Sequence, residues 1–224
     1  MAFDWIAGTA LVVGMGSLYL TWQSTKAAKR AIDTSIEIYN KQKVDNDKQK
    51  EDERLNAILG ISDVAGKEAF LVLQYILFII ELQELAEKAE TINFEFSEAT
   101  EWNSIYFNLP DGGIVKTGQV PNIPKYFSHE VLINSAICSP DLFSMLLNLN
   151  GQILVVEKTI SFLMKYIKND SINALRDYLN NYIPRDGKNM FIRSMLKDTV
   201  CFEKQMKDYN GYLEVKSKIK SALF

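Results

Sequence analysis

Between Trp5 and Trp22 the chain carries no charged side chain, and the run IAGTALVVGMGSLYLT is apolar or small almost throughout. From one tryptophan to the other a helix would span roughly 27 Å, close to the hydrocarbon thickness of a bilayer. A helix satisfies its own backbone polar groups, so it is the one open structure such a run can form in lipid. The tryptophan at each end suits the headgroup level. Lys26, Lys29 and Arg30 follow at once, whereas the N-terminal side offers only Asp4 and the α-amine. The positive-inside bias therefore places Met1 outside and the bulk of the chain in the cytoplasm. A cleaved signal peptide would need a basic region before the apolar run, and here the basic cluster lies after it. An uncleaved anchor fits better, with a buried helix of a soluble protein as the competing reading.

Within this segment Ala7, Ala10, Gly14, Ser17, Thr21 and Ser24 recur at steps of three and four, and Ala28, Ala31 and Ser35 keep the register. Leu11, Met15, Leu18 and Trp22 form a bulky face that suits lipid. Helices in lipid associate through close backbone approach and hydroxyl hydrogen bonds, so a heptad-spaced small stripe is expected to serve as a pore-forming or oligomer seam. The plainer reading is that glycine and alanine are common in membrane helices. The span holds no ionisable residue, which disfavours a proton relay or a carboxylate ion site. A pore would be lined by Thr9, Ser17, Thr21 or the backbone near Gly14 and Gly16, and gated by apolar constriction.

The chain has 224 residues, enough after a span for one cytoplasmic domain of ordinary size. Its net charge of −3 argues against a globally basic nucleic-acid binder. Cys138 and Cys201 stand apart with no C-x-x-C spacing, and the single histidine, His129, makes no zinc pattern with them. His129 is expected near a helix start after Ser128.

From Gln23 to Leu59 there is neither proline nor glycine. Lys41 to Arg54 reads KQKVDNDKQKEDER, with opposite charges at helical distances such as Lys41 with Asp45, Lys43 with Asp47 and Lys48 with Asp52. A solvent-bridging polar helix and a disordered linker both fit this stretch. Val64 to Ala89 is expected as a second apolar helix; its core, Phe70 to Ile80, is too short to span and reads as buried, with a second crossing as the alternative. Phe94 to Phe127 holds Asp111-Gly112-Gly113, Gly118, Pro121 and Pro124 and is expected to be irregular. Ile105–Leu109 and Gly113–Val115 can pair as a hairpin, while Trp102 to Phe107 can equally end a helix. Beyond it, Ser128 caps a helix to Cys138, and Ser139-Pro140 starts a long amphipathic helix carrying Leu142, Leu146, Leu149, Ile153, Val156, Ile160, Leu163 and Ile167. Asn169-Asp170-Ser171 ends it. A shorter helix to Tyr182, a turn at Pro184–Gly187 and a last helix from Lys188, kinked at Gly211, complete the chain. The expected architecture is mainly α: a transmembrane helix over residues 1–25, a helical stalk over 26–59, and a cytoplasmic helical bundle over 60–224 with a sensing or regulatory role.

No nucleophile elbow, P-loop, H-E-x-x-H or clustered metal ligands appear, so neither an enzyme nor a cofactor is expected. Lys165, Tyr166, Lys168, Arg176, Tyr178, Tyr182, Arg185 and Lys188 interleave cations with aromatics. Such a mixture can grip phosphates and stack a base, or it can be ordinary amphipathic packing.

The single N-terminal span, the polar stalk and the helical domain together resemble the membrane-channel effector of the Hailong antiphage system. That resemblance implies a homo-tetrameric ion channel in the inner (plasma) membrane of a bacterium, controlled by the oligodeoxyadenylate product of a partner nucleotidyltransferase. The helical domain would then read the oligonucleotide. The alternative is a membrane-anchored adaptor whose helical domain binds a protein partner.

Overall fold

The computed structural model describes residues 2–97, 102–116, 120–182 and 190–223. The chain is mainly helical and divides into two compact units, residues 1–54 and 55–224. The first helix, α1 (Ala2–Lys88), supplies all of the first unit. Every described side chain there from Gly8 onward is exposed. Lys41 to Arg54 is helical, with Arg54 gripping Glu51 through two hydrogen bonds of 2.7 and 2.9 Å and Gln49 donating to Glu53 at 2.9 Å. Exposed pairs one turn apart add about 0.2–0.5 kcal/mol each, so they support this helix without fixing it.

In the second unit α1 continues from Leu55 to Lys88. Gly60 does not interrupt it, and no separate helix begins near Val64. One glycine in a helix costs about 1 kcal/mol against alanine, and packing from Ile58 onward offsets this. Tyr75, Ile76, Ile79 and Leu82 are fully buried and Phe70, Phe78 and Ile80 nearly so. At about 1.5–3 kcal/mol for each large apolar side chain removed from water, this segment is the axis of the core. Among the described residues α1 is the one helix long and apolar enough to cross a membrane, and its apolar window, of mean hydropathy 1.7, is 67% buried. Since the described side chains from Gly8 to Asn56 are all exposed, that window belongs to the packed segment around Phe70–Ile80.

The first part of the stretch expected to be irregular joins Thr91–Asn93 in a three-stranded antiparallel sheet in the order β1-β2-β3: β1 (Thr91–Ser97), β2 (Trp102–Asn108) and β3 (Ile114–Lys116); residues 120–127 are irregular as expected. Of the two readings of Trp102–Phe107, the structure takes the hairpin; β1 is an addition. Ile92 pairs with Phe107 and Phe94 with Ile105, which puts the four on one face. Ile92, Ile105 and Phe107 are fully buried, and β1 lies against α3. The β2–β3 turn is Pro110-Asp111-Gly112. Gly112 N–H donates to Leu109 O at 3.0 Å, and Asp111 Oδ1 accepts from Gly113 N–H at 2.9 Å. Gly112 sits at φ +80°, a left-handed conformation that any Cβ would strain.

Six further helices complete the unit: α2 (His129–Cys138), α3 (Pro140–Lys168), α4 (Ile172–Tyr182), α5 (Met190–Val200), α6 (Glu203–Met206) and α7 (Tyr212–Leu223). The Ser128 and Ser139 hydroxyls cap α2 and α3, each accepting a backbone N–H at 3.3 Å. Helix α3 ends where expected. Ser171 N–H returns to Tyr166 O and Asp170 N–H to Ile167 O, with Asp170 at φ 49°. These two bonds satisfy carbonyls that the helix end leaves without partners. The last helix expected from Lys188 is in fact three: it breaks at Cys201-Phe202 and again at Gly211 (φ +84°). Across these breaks Phe202, Met206, Tyr212 and Ile219 are all buried in the core.

Two polar contacts fix the long segment after β3, and a third joins α1 to α4. The buried Glu68 carboxylate accepts Lys125 N–H at 2.6 Å, Asn150 Oδ1 accepts Phe127 N–H at 3.1 Å, and Gln83 donates to Asn180 at 3.2 Å.

Candidate functional site

Ala10, Gly14, Ser17, Thr21 and Ser24 are all exposed along α1, and a Cβ added at Gly8, Gly14 or Gly16 would meet nothing within 4 Å. The side chain of Ala7 lies outside the described residues. The bulky side chains of the same segment are equally uncovered: Leu11, Val12, Val13, Met15, Leu18 and Leu20 are each exposed. The hydroxyls, by contrast, are satisfied within the helix. Thr9 donates to Trp5 O at 3.0 Å, Ser17 to Val13 O at 2.9 Å and Thr21 to Ser17 O at 2.8 Å. Each hydroxyl oxygen still has lone pairs for a second partner. At the basic end, Lys26 Nζ stands 5.0 Å from the Trp22 ring centroid, and Tyr19 lies 6.1 Å from the same indole. An amphipathic ring with a cation above it suits the lipid–water boundary.

The cation–aromatic group of α3 and α4 divides in the structure. Arg176 is committed to the end of α1: Nε donates to Ala86 O at 3.0 Å, Nη2 to Ala89 O at 2.8 Å and Nη1 to Asn173 Oδ1 at 3.0 Å. A guanidinium there satisfies carbonyls at the negative end of the helix dipole. Tyr178 packs against Phe162 and Tyr166 at tilted angles, with ring centroids 6.1 and 5.6 Å away. Lys168 Nζ lies 5.6 Å from the Phe94 ring, which ties it to β1. Lys165 is exposed. Arg185 and Lys188, and the side chain of Tyr182, lie outside the described residues. Arg176 and Tyr178 thus act in packing, while Lys165 and Lys168 remain on the surface.

Sequence reasoning passed over a cavity of about 400 Å³ framed by α1, α5, α6 and α7. Leu73, Leu196, Val200, Met206 and Ile219 give it apolar walls, and Arg193, Lys197, Lys216 and Lys220 stand at its lining. The signal was legible as two cation pairs at i,i+4 spacing, one on each of two helices. Lys216 donates to Glu203 at 2.5 Å and lies over the Tyr212 ring at 5.6 Å. The hydrogen bond holds the Glu203 carboxyl below its usual value and raises the Lys216 ammonium above its own.

Two tyrosines complete the polar inventory. Tyr126 donates to Glu157 at 2.7 Å, and that bond pushes its phenol up to about 12. The Tyr75 hydroxyl is buried without a hydrogen-bond partner, near Thr159, whose own hydroxyl donates to Val155 O at 2.8 Å. Burial raises its pKa, so the phenol stays neutral. Among the described residues no group of three His, Cys, Asp or Glu side chains could hold a metal ion.

No protein-family model matches the chain, and no curated protein or solved structure matches it.

Proposed function

We propose that the chain is a homo-oligomeric membrane effector, a gated ion channel of bacterial antiphage defence, with Trp5–Trp22 in the inner membrane. In this reading the N-terminus is outside, and residues 55–224 control the pore from the cytoplasm without catalysing a reaction. The observation that carries it is the uncharged helical segment whose small face and bulky face are both uncovered. An uncovered apolar surface of that kind suits lipid, and its small face lets a partner helix approach closely. The overall plan, similar to the Hailong effector, supports a tetramer and an oligonucleotide signal made by a partner nucleotidyltransferase.

The test is Gly14→Leu in the full chain. The added side chain meets open space in a single copy, so it leaves the protomer intact and blocks only close approach between copies. The expected result is a smaller particle by native mass spectrometry and loss of discrete currents in a planar bilayer. Unchanged particle size and unchanged currents would refute the seam.

A second reading, a single-span anchor for a protein-binding domain, is favoured by the hydroxyls that bond back to their own helix. A span with its polar groups already satisfied is stable in lipid alone. Replacing residues 5–22 with an unrelated apolar helix distinguishes the two, since an anchor tolerates the exchange and a channel does not.

A further inference from the structure

We propose that the cavity between α1, α5, α6 and α7 binds a single-chain anionic amphiphile, a free fatty acid of about a dozen carbons. The walls are Leu73, Leu196, Val200, Met206 and Ile219, drawn from four elements; Thr199 and Tyr212 also line the cavity, with the Thr199 hydroxyl turned back to Leu196 O at 2.9 Å. Val200 is 56% exposed, so an apolar wall opens to solvent instead of closing on itself. Lys stems often cover apolar surface and leave their heads in water, yet here the space behind them is not filled. A methylene takes about the volume of a water molecule, roughly 30 Å³, so a cavity of about 400 Å³ has room for one such chain.

Charge selects the head group. Arg193 and Lys197 lie one turn apart on α5, and Lys216 and Lys220 one turn apart on α7. Glu203 balances Lys216 from α6, leaving three cations in excess around an apolar opening in a chain of net charge −3. No carboxylate lines the cavity among the described residues. A neutral chain would gain the walls but not the rim, and an inorganic anion the rim but not the walls. The site is independent of the channel reading, because every residue in it belongs to the unit 55–224.

The test is photolabelling of the full chain in phosphatidylcholine nanodiscs with a diazirine-bearing myristate, read by peptide mass spectrometry. The expected adducts fall on Leu196–Val200, Met206 and Ile219, and are competed by myristate but not by tetradecanol. Lys197→Glu with Lys220→Glu should cut labelling by about tenfold or more. Val200→Trp, which fills the mouth from an exposed position, should abolish it while the thermal transition stays in place. Adducts confined to Trp5–Trp22, equal competition by tetradecanol, or labelling untouched by Val200→Trp would each overturn the proposal. Displacement by phosphatidylglycerol in the nanodisc but not by myristate would overturn it in favour of a bilayer lipid.

Discussion

Replacing Arg176 by methionine separates a structural arginine from a ligand-binding one. The guanidinium donates to two carbonyls at the end of α1, Ala86 O and Ala89 O, and to Asn173 on its own helix. Hydrogen bonds from a charged donor are worth about 1.5–3 kcal/mol each, and a cation at a helix C-terminus about 0.3–1 kcal/mol more. Arg176 is half-buried, so water replaces part of what is lost, and a net cost of about 3 kcal/mol is expected. For a unit of this size each kcal/mol moves the midpoint by about 2–4 °C, which gives a fall of roughly 6–12 °C. Methionine keeps most of the stem's packing, so the loss reports the polar contacts.

Differential scanning calorimetry of the full chain in nanodiscs reads this directly. Arg176→Lys is the informative companion. An ammonium retains the charge but cannot fork between two carbonyls, so about half the loss should return. If the midpoint of Arg176→Met stayed within a degree or two of the parent while oligonucleotide binding vanished, the clamp would be incidental and the arginine would belong to a ligand surface.

Three smaller perturbations follow from single contacts. A Cβ at Gly66 would overlap that of Gln205 on α6, so Gly66→Ala should cost about 1–3 kcal/mol by chemical denaturation, against a gain of up to about 1 kcal/mol if that crossing were loose. Asp170 holds a left-handed conformation at the negative end of α3; Asp170→Asn keeps the turn, removes the like charge and should raise stability by about 0.3–1 kcal/mol, whereas a loss would mean its carboxylate has a partner. The Glu203–Lys216 pair should stabilise the fold above the ordinary carboxylate value of 4.5 and lose that contribution as pH falls through the lowered value of Glu203. At the other limit it is present below 10.5 and is lost as pH rises through the raised value of Lys216; the midpoint difference between the parent and Lys216→Met, followed against pH, should shrink at both ends.

What the sequence revealed divides by the range of the forces involved. Ser128, Ser139-Pro140 and Asn169-Asp170-Ser171 act within one helical turn, and α2 and α3 begin and end where those residues place them. The alternation Ile92, Phe94, Phe96 in β1 was also local, but it lies beside a long apolar helix and a Gly-rich loop that drew attention elsewhere. The break at Cys201-Phe202 had no proline or glycine to announce it; Phe202 stands at the N-cap of α6 and makes no side-chain capping bond, because burying its ring outweighs the missing bond. Arg176 reaching from α4 to the end of α1, and the cavity framed by four helices, depend on contacts between residues about ninety or more positions apart. The cation pairs Arg193/Lys197 and Lys216/Lys220 are visible in a window of sequence, but the contacts that bring α1 to α4 and to the cavity are not.

If residues 5–22 cross a membrane as proposed, mean hydropathy alone would point to the wrong part of α1. Among the described residues the apolar window of α1 lies in the buried stretch around Phe70–Ile80, where Glu68 and Gln83 have partners within the fold. The N-terminal run is diluted by Gly8, Thr9, Gly14, Gly16 and Ser17 and yet leaves its leucines, valines and tryptophans uncovered. The difference follows from what each segment is packed by. A core helix can carry charges at its rim because neighbouring backbone and side chains answer them. A segment meant for lipid has no such neighbours, so it sheds charge first and tolerates glycine, which lets a second backbone come close. Absence of charge between two tryptophans, with a basic cluster on one side only, is therefore better evidence for a span here than hydropathy. The small residues that lower its hydropathy are the ones a partner helix would need.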